Sequence, residues 1–289
     1  MPDITPVGDF SLVWGESLRW DDRRQRLYFV DCGAQTLHWL DGTEPPLQTL
    51  ALPSLPTGLA LAEDGRVVAA LDDGLHVVDP DVGVTELLSP YPDGIGARAN
   101  DTRADLDGNL VTGTLNVGVG PGSYWWFSAT GGWRQLDDGI NNANGPVVRD
   151  VGGEQTLVIA DTSASVVYEY PYDGATGAVG ERAVFIDTEP LGGMPDGACA
   201  DSGGGVWSCL LGAGNIVRVE AAGETAATIP TGVELPSDVT FGDVDLDAMF
   251  FVSIAIDIGG IHVESPNAGR LMRVDNCGFL GRPEPRVRL

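Results

Sequence analysis

A turn rich in aspartate or glycine, followed by a short run of apolar residues, recurs six times along this chain of 289 residues. The copies begin at residues 21, 62, 105, 149, 200 and 242, so successive copies are 41, 43, 44, 51 and 42 residues apart. A period of this length, with several short strands per repeat, is typical of propellers with four-stranded blades. The 3.6-residue periodicity of a three-turn amphipathic helix is missing from the sequence. The pattern therefore predicts an all-β fold, a six-bladed β-propeller of four-stranded antiparallel blades around a central channel.

Six repeats of this size occupy almost the whole sequence, so we expect one domain over residues 1–289. In such rings the first and last strands usually share a blade, because this pairing removes exposed strand edges. Two segments are candidates for the closure, FSLVWGESLRW at residues 10–20 and GRLMRVD at residues 269–275. The sequence therefore predicts a ring closed by pairing between segments near its two ends.

The chain carries 42 Asp and Glu residues against 16 cationic ones, all arginine, and its net charge is −26. Such a surface repels phosphate groups, so we expect no nucleic-acid or anionic membrane partner. No window approaches the roughly 18 uninterrupted apolar residues of a membrane span, and no basic and apolar leader opens the sequence. We expect a cytoplasmic protein that is monomeric or weakly homo-oligomeric.

The four cysteines lie far apart and lack the CxxC spacing of zinc and redox sites. Free thiols in a reducing compartment are the expected state for such a pattern. Cys199 and Cys209 are spaced so that they could face each other across a hairpin, and a disulfide between them stays open as an alternative.

The residues just ahead of the run that we assign to the innermost strand are polar in five of the six blades, and blade 2 has a glycine there. In a propeller these positions gather at one mouth of the channel, and they are Glu16, Gly58, Asn100–Asp101, Asn144, Asp196 and Ser237–Asp238. Converging carboxylate and amide oxygens suit a hard or borderline divalent cation, which also relieves repulsion between the acids. Asp196 lies in a Pro–Asp–Gly tripeptide that is equally compatible with a simple turn.

Several longer motifs occur in an order that makes the chain resemble the SMP-30/gluconolactonase family. They are GESLRWDDRRQRLYFVD, ALDDGLHVVD, RANDTRADLDGNLVTGTL, NNANGPVVRD, LVIADTSASVVYEYPYDGATG and PDGACADSGGGVW. The resemblance implies a metal ion held by Glu16, Asn144 and Asp196. It also implies that Arg98 and Asn100 contact a sugar lactone.

The chain departs from the family pattern at positions that bear on the substrate. Thr102 replaces a usual glycine, Leu115 replaces a usual methionine, and the lid segment 116–126 lacks an acid found in some relatives. Pro236–Ser237–Asp238 stands where the family has a familiar proline–threonine pattern, and it adds a possible acid to the mouth. These changes leave the implied metal ligands in place, but they leave open the identity of the lactone and the roles of Asp101 and Asp238.

The function predicted from the sequence is a metal-dependent lactonase that converts an aldonolactone into the aldonic acid. The metal would polarise the lactone carbonyl, and either Asp196 or a metal-bound hydroxide would activate water. Calcium, zinc, manganese and ferrous iron all tolerate such ligands. One alternative is a propeller that binds calcium or another ligand without turnover, and another is a biosynthetic propeller enzyme with a different ring substrate. None of the three histidines falls at the mouth and no G-x-S-x-G motif occurs, which disfavours a Ser–His–Asp hydrolase.

Overall fold

Six sheets surround a common axis in the computed structural model, which describes residues 2–93, 95, 98–115 and 122–289, and all but one short terminal strand pair in antiparallel fashion. The innermost strand of each sheet contacts the innermost strand of the next, and the sixth contacts the first, so the ring is closed. The predicted six-bladed β-propeller is confirmed.

The blades follow one another along the chain, each running from the axis outwards. Blade 6 includes β1 (Asp3–Pro6). Blade 1 contains β2 (Gly15–Asp21), β3 (Arg26–Asp31), β4 (Thr36–Asp41) and β5 (Gln48–Ala51). Blade 2 contains β6 (Gly58–Ala62), β7 (Val67–Ala70), β8 (Gly74–Asp79) and β9 (Val84–Pro90). Blade 3 contains β10 (Arg98–Ala104), β11 (Leu110–Leu115), β12 (Gly122–Ser128) and β13 (Gly132–Ile140).

The remaining blades carry small additions to the four-stranded plan. Blade 4 contains β14 (Ala143–Val151), β15 (Glu154–Asp161), β16 (Val166–Asp173), the short β17 (Ala178–Val179) and β18 (Ala183–Asp187). Blade 5 contains β19 (Met194–Ala200), β20 (Val206–Leu211), β21 (Asn215–Val219) and β22 (Thr225–Pro230). Blade 6 adds β23 (Pro236–Gly242), β24 (Ala248–Ser253) and β25 (Met272–Asp275) to β1, and β26 (Arg286–Val287) follows at the end. Two 3₁₀ turns, Thr162–Ala164 and Glu189–Leu191, are the helical elements of the described chain, which holds no helix long and apolar enough to cross a membrane.

The apolar core is divided into layers, one at each of the six contacts between neighbouring blades. In β3, Tyr28 and Val30 pack toward blade 2, whereas Leu27 and Phe29 pack toward blade 6. Successive side chains of a strand point to opposite faces, so a strand between two neighbours buries both sets. This explains why the repeats read as continuous apolar runs instead of alternating ones.

The ring is closed by pairing between segments near its two ends, as expected, but one of the two segments is not the predicted one. Residues 272–275 of the predicted segment 269–275 do form β25, but the strand that pairs with them is Asp3–Pro6. Segment 10–20 instead leads into β2, the inner strand of blade 1. The closing strand was missed because it is an outer strand with mostly exposed side chains and therefore carries little apolar signal.

The C-terminal segment 276–289 crosses the axis at the end of the channel where the inner strands finish. Its strand β26 pairs in parallel with β6. Arg286 forms an ion pair with Asp21 of blade 1 at 2.6 Å, and Glu284 forms one with Arg103 of blade 3 at 2.7 Å. Backbone or side-chain hydrogen bonds join the same segment to blades 4, 5 and 6. This end of the channel is therefore covered by the chain itself, an arrangement that the repeat pattern did not predict.

Arg19 lies fully buried on the axis, and its guanidinium group connects four blades. From β2 it donates to the Leu59 carbonyl oxygen of blade 2 at 2.8 Å and to the Thr102 carbonyl oxygen of blade 3 at 3.0 Å. It also pairs with Asp101 of blade 3 and Asp238 of blade 6, each at 3.1 Å. A further bond to the Leu18 carbonyl oxygen engages the last of its five donor positions.

The partners of Arg19 extend this network to the other two blades. The second carboxylate oxygen of Asp101 accepts from the Gly145 amide of blade 4 at 3.1 Å. Glu284 lies 3.6 Å from Arg19 Nε and pairs with Arg103. Arg103 in turn donates to the carbonyl oxygen of Ala198 in blade 5. All six inner strands are thus linked at the axis by buried charged groups.

We predict that Arg19→Met lowers the free energy of unfolding by about 3–5 kcal/mol, because removing one member of a buried ion network leaves its partners uncompensated. Urea unfolding of the metal-free protein measures the change. Arg66→Met is the matched control, since Arg66 pairs with Asp64 at the surface and such pairs contribute only about 0–1 kcal/mol. Equal stability of the two variants would contradict the assigned role.

Candidate metal and substrate site at the channel mouth

The inner strands start at the end of the channel that segment 276–289 does not cover, the mouth, and most of them are interrupted there by a β-bulge. The pairing register shifts between Glu16 and Arg19, between Ala99 and Thr102, between Asn144 and Val147, and between Pro195 and Ala198. Bulges leave residues out of the ladder and re-aim their side chains. The predicted site residues Glu16, Asn100, Asn144 and Asp196 all lie at the edge of such a bulge or within it.

The Asn144 side chain is held at both ends of its amide group. Its nitrogen donates to Thr162 Oγ1 at 2.8 Å, and that hydroxyl donates onwards to the Pro195 carbonyl oxygen at 2.7 Å. Its oxygen accepts from Asn100 Nδ2 at 2.6 Å. These contacts fix the orientation of the amide and bring it beside the residue that precedes Asp196.

Asp196 lies inside β19 and not in a turn, so the Pro–Asp–Gly tripeptide is part of a bulged inner strand. The glycine is required by close packing, because a Cβ atom on Gly197 would lie 2.4 Å from Asp238 Oδ1. Burial raises the pKa of Asp196 well above its usual value, and the neighbouring carboxylates Asp101 and Asp238 raise it further.

Glu16 is the second carboxyl group at the mouth. Burial raises its pKa well above the usual value, and the negative charges of Asp196 and Asp238 add to the effect. The indole nitrogen of Trp14 donates to Glu16 Oε1 at 3.0 Å. Within the described parts of the chain, neither Glu16 nor Asp196 forms an ion pair with an arginine or histidine.

The two other acids of the mouth lie deeper and face Arg19. Asp238 accepts from the Leu18 amide at 2.7 Å, and burial raises its pKa to about 6 although Arg19 opposes the shift. Asp101 bridges Arg19 and the Gly145 amide. The structure therefore gives these two acids a place in the axial network beneath Glu16 and Asp196.

Arg98 and Asn100 lie on β10 at the rim. Arg98 is partly exposed. Burial raises the pKa of the nearby Cys32 thiol, the charges of Glu16 and Asp196 raise it further, and the positive charge of Arg98 opposes the shift. No described residue accepts a hydrogen bond from Arg98 Nε. Asn100 uses its amide nitrogen toward Asn142, Ala143 and Asn144, which leaves its oxygen without a donor among the described residues.

The donor set of the mouth fits a divalent cation. Glu16 and Asp196 offer carboxylate oxygens whose pKa values are raised by burial and by neighbouring negative charges, and Asn144 offers an oriented amide oxygen. The nearby cation Arg19 is saturated by other partners. In the described segments no group of three His, Cys, Asp or Glu side chains has the arrangement of a metal site, so the amide oxygen is an essential member of the proposed set.

The structure also bears on the cysteines, on the lid segment and on residues that the sequence did not reveal. The four cysteines are free thiols, so Cys199 and Cys209 do not pair. Residues 116–121 of the predicted lid lie outside the described residues, and Gly122–Trp126 belong to β12. Sequence reasoning missed Arg19, Trp14 and Thr162. A lone arginine within an apolar inner strand was the one available signal for Arg19.

Comparison with known proteins places the chain in a family. The profile of the SMP-30/gluconolactonase/LRE-like region matches residues 14–255. A pentonolactonase of Haloferax volcanii is 30% identical over 98% of this chain and 97% of its own. A 6-deoxy-6-sulfogluconolactonase of Pseudomonas putida is 30% identical over 83% of each chain.

A solved structure agrees with this placement. The calcium-binding protein regucalcin of Agrobacterium tumefaciens is 26% identical, with a TM-score of 0.87 over 98% of this chain and 97% of that one. The family profile covers most of the chain, and the structural match extends over nearly all of it. The chain belongs to the SMP-30/gluconolactonase/LRE-like family.

Proposed function

We propose that the protein is a metal-dependent lactonase that hydrolyses a sugar lactone to the aldonic acid. The observation that carries the proposal is the pair of carboxyl groups Glu16, partly buried, and Asp196, buried, beside the oriented Asn144 amide; the charge of Asp196 adds to the raised pKa of Glu16. The two relatives named as lactonases support the reaction class. A five- or six-membered aldonolactone is the substrate class that we propose.

Glu16, Asn144 and Asp196 would hold the ion. Calcium, zinc, manganese and ferrous iron are compatible with two carboxylates and an amide oxygen. When bound, the ion supplies Lewis acidity that polarises the lactone carbonyl group. The three side chains come from blades 1, 4 and 5, so the ring itself sets their separation.

The chain's own residues would orient the substrate and move one proton. Arg98 Nε and Asn100 Oδ1 have no hydrogen-bond partner among the described residues, and the two side chains would bind ring hydroxyl groups. Asp196 would accept a proton from the attacking water while the oxygen of that water bonds to the carbonyl carbon of the lactone. The bond from that carbon to the ring oxygen then breaks, and the proton passes to the ring oxygen, which becomes a hydroxyl group. The other product group is the carboxylic acid, so atoms and charge balance.

Removal of the ion should abolish activity and leave the fold intact, because the proposed ligands lie at the mouth and the six apolar layers lie between the blades. We would treat the protein exhaustively with EDTA, verify metal loss by elemental analysis, and assay a panel of aldonolactones by pH-stat. Far-UV circular dichroism is the control for folding. Full activity of the metal-free protein would contradict the proposal.

Asp196→Asn should lower kcat/KM by at least about a hundredfold at saturating metal, since loss of a positioned general base costs roughly 10²–10⁴-fold. The metal-free variant should be as stable as the parent or more so, because one of two crowded acids is removed. Asp150→Asn is the control, since Asp150 lies at the exposed far end of β14, where its side chain accepts from the Gly153 amide, and its loss should leave the rate unchanged. A fully active Asp196→Asn protein would remove the basis of the mechanism.

Asn100→Ala should lower kcat/KM about three- to tenfold, the size expected for one lost neutral hydrogen bond. The bound metal should be retained, because Thr162 still orients the Asn144 amide. Asn109→Ala, at the opposite end of the channel, is the matched control for a lost asparagine. If the variant is purified without metal, Asn100 acts mainly on the ligand set and its role toward substrate is wrong.

A further inference from the structure

Two buried carboxylates at the mouth have no part in the function proposed above. Asp31 ends β3 in blade 1 and Asp161 ends β15 in blade 4, and their exposed fractions are 3% and 2%. In the described part of the chain neither one pairs with a cation. Both accept hydrogen bonds only from backbone amides. A buried charge that is satisfied by backbone groups alone fixes those groups in place.

Asp31 and Asp161 each bind the backbone amides that lie three and two residues before a proposed metal ligand. Asp31 accepts from Val13 and Trp14 at 2.8 and 3.1 Å, three and two residues before Glu16. Asp161 accepts from the amides of residues 141 and 142 at 3.0 and 3.2 Å, three and two residues before Asn144. The strand registers agree, since Asp31 pairs with Gly15 and Asp161 with Ala143.

The equivalence continues on both sides of these contacts. The amide after each aspartate returns a bond to the same entry segment, from Cys32 to the Trp14 oxygen and from Thr162 to the Asn142 oxygen, both at 2.9 Å. The residues after the two ligands, Ser17 and Gly145, both have φ of 56°, in the left-handed region. Blades 1 and 4 are three positions apart in a ring of six, so the two arrangements face each other across the channel.

The other four blades lack the carboxylate. At the end of their second strands, or one residue past it, the chain places Leu71, Leu115, Leu211 and Ile254. An aspartate at this position is therefore no requirement of blade folding. It occurs in the two blades whose entry segments lead directly into Glu16 and Asn144.

The bulges explain why these segments need such support. After Glu16 and after Asn144 the ladder register is broken, so strand pairing does not hold the ligand residue on its C-terminal side. The paired amide bonds to Asp31 and Asp161 hold the N-terminal side. We propose that Asp31 and Asp161 are positioning residues that keep the donor atoms of Glu16 and Asn144 directed into the metal site, an inference that rests on the proposed function.

The test is metal affinity, measured by isothermal titration of the EDTA-treated full-length protein with MnCl₂. Asp31→Asn and Asp161→Asn keep the side-chain shape, but the amide nitrogen cannot accept a bond and would face a backbone donor. We expect the dissociation constant for Mn²⁺ to rise about 10- to 100-fold in each variant, the usual cost of removing an outer partner of a metal ligand. Glu16 and Asn144 remain present, so the loss would come from their positioning.

Asp201→Asn is the control for lost stability. Asp201 has an exposed fraction of 2%, accepts from the Gly203 and Gly205 amides and pairs with Arg218, but it follows the far end of β19. We expect this variant to unfold at a lower temperature and to bind Mn²⁺ within about twofold of the parent, on the same scale of outer-partner effects. Should an Asn variant fail to fold, Asp31→Glu and Asp161→Glu keep the charge and the acceptors but displace them by one methylene, and they should weaken Mn²⁺ binding as well.

The possible outcomes separate this inference from the proposed function. Parent protein that binds Mn²⁺ while the Asp31 and Asp161 variants bind it equally well would overturn the positioning role alone. Loss of affinity in Asp201→Asn of the same size would also overturn it, since any destabilised variant would then behave alike. Parent protein that binds neither Mn²⁺, Ca²⁺ nor Zn²⁺ would overturn the metal site and this inference together.

Discussion

The buried guanidinium group of Arg19 is the interaction on which the geometry of the channel depends. It contacts inner strands of four blades, and the network reaches the other two through Asp101 and through the Glu284–Arg103 pair. A propeller has no single core, because its apolar layers lie between blades and each layer fixes only one neighbouring pair. The axial charges add contacts that involve the whole ring at once. Since the site side chains come from separate blades, their distances depend on this shared constraint.

The two ends of the channel are specialised in opposite ways. At one end segment 276–289 covers the axis and pairs with β6, Asp21 and Arg103. At the other end bulges interrupt the ladders and turn polar side chains toward the axis. A covered end allows ligand entry from one side only. An acid at the open mouth is then close to a low-dielectric interior, which explains the raised pKa values of Glu16 and Asp196.

The repeat predicted the architecture well because each blade buries both faces of its strands, which leaves continuous apolar runs at a regular spacing. The start of each inner strand was predictable for the same reason, and with it the candidate residues Glu16, Asn144 and Asp196. The closing strand Asp3–Pro6 and segment 276–289 were not, since one is mostly exposed and the other depends on pairing with residues more than 200 positions away. Side-chain partners such as Thr162 depend on contacts between blades, which no spacing along the chain reveals.

The strong negative charge of the chain would affect the substrate and the product of the proposed reaction differently. A sugar lactone is neutral, so a surface with a net charge of −26 does not repel it on approach. The product is an aldonate anion at neutral pH, and the same field opposes its return to the mouth. Arg98 is partly exposed at the rim, where a single positive charge can orient a polar ligand without reversing the field. The acids of the surface, and not those that hold the ion, would therefore favour release of the product over its rebinding.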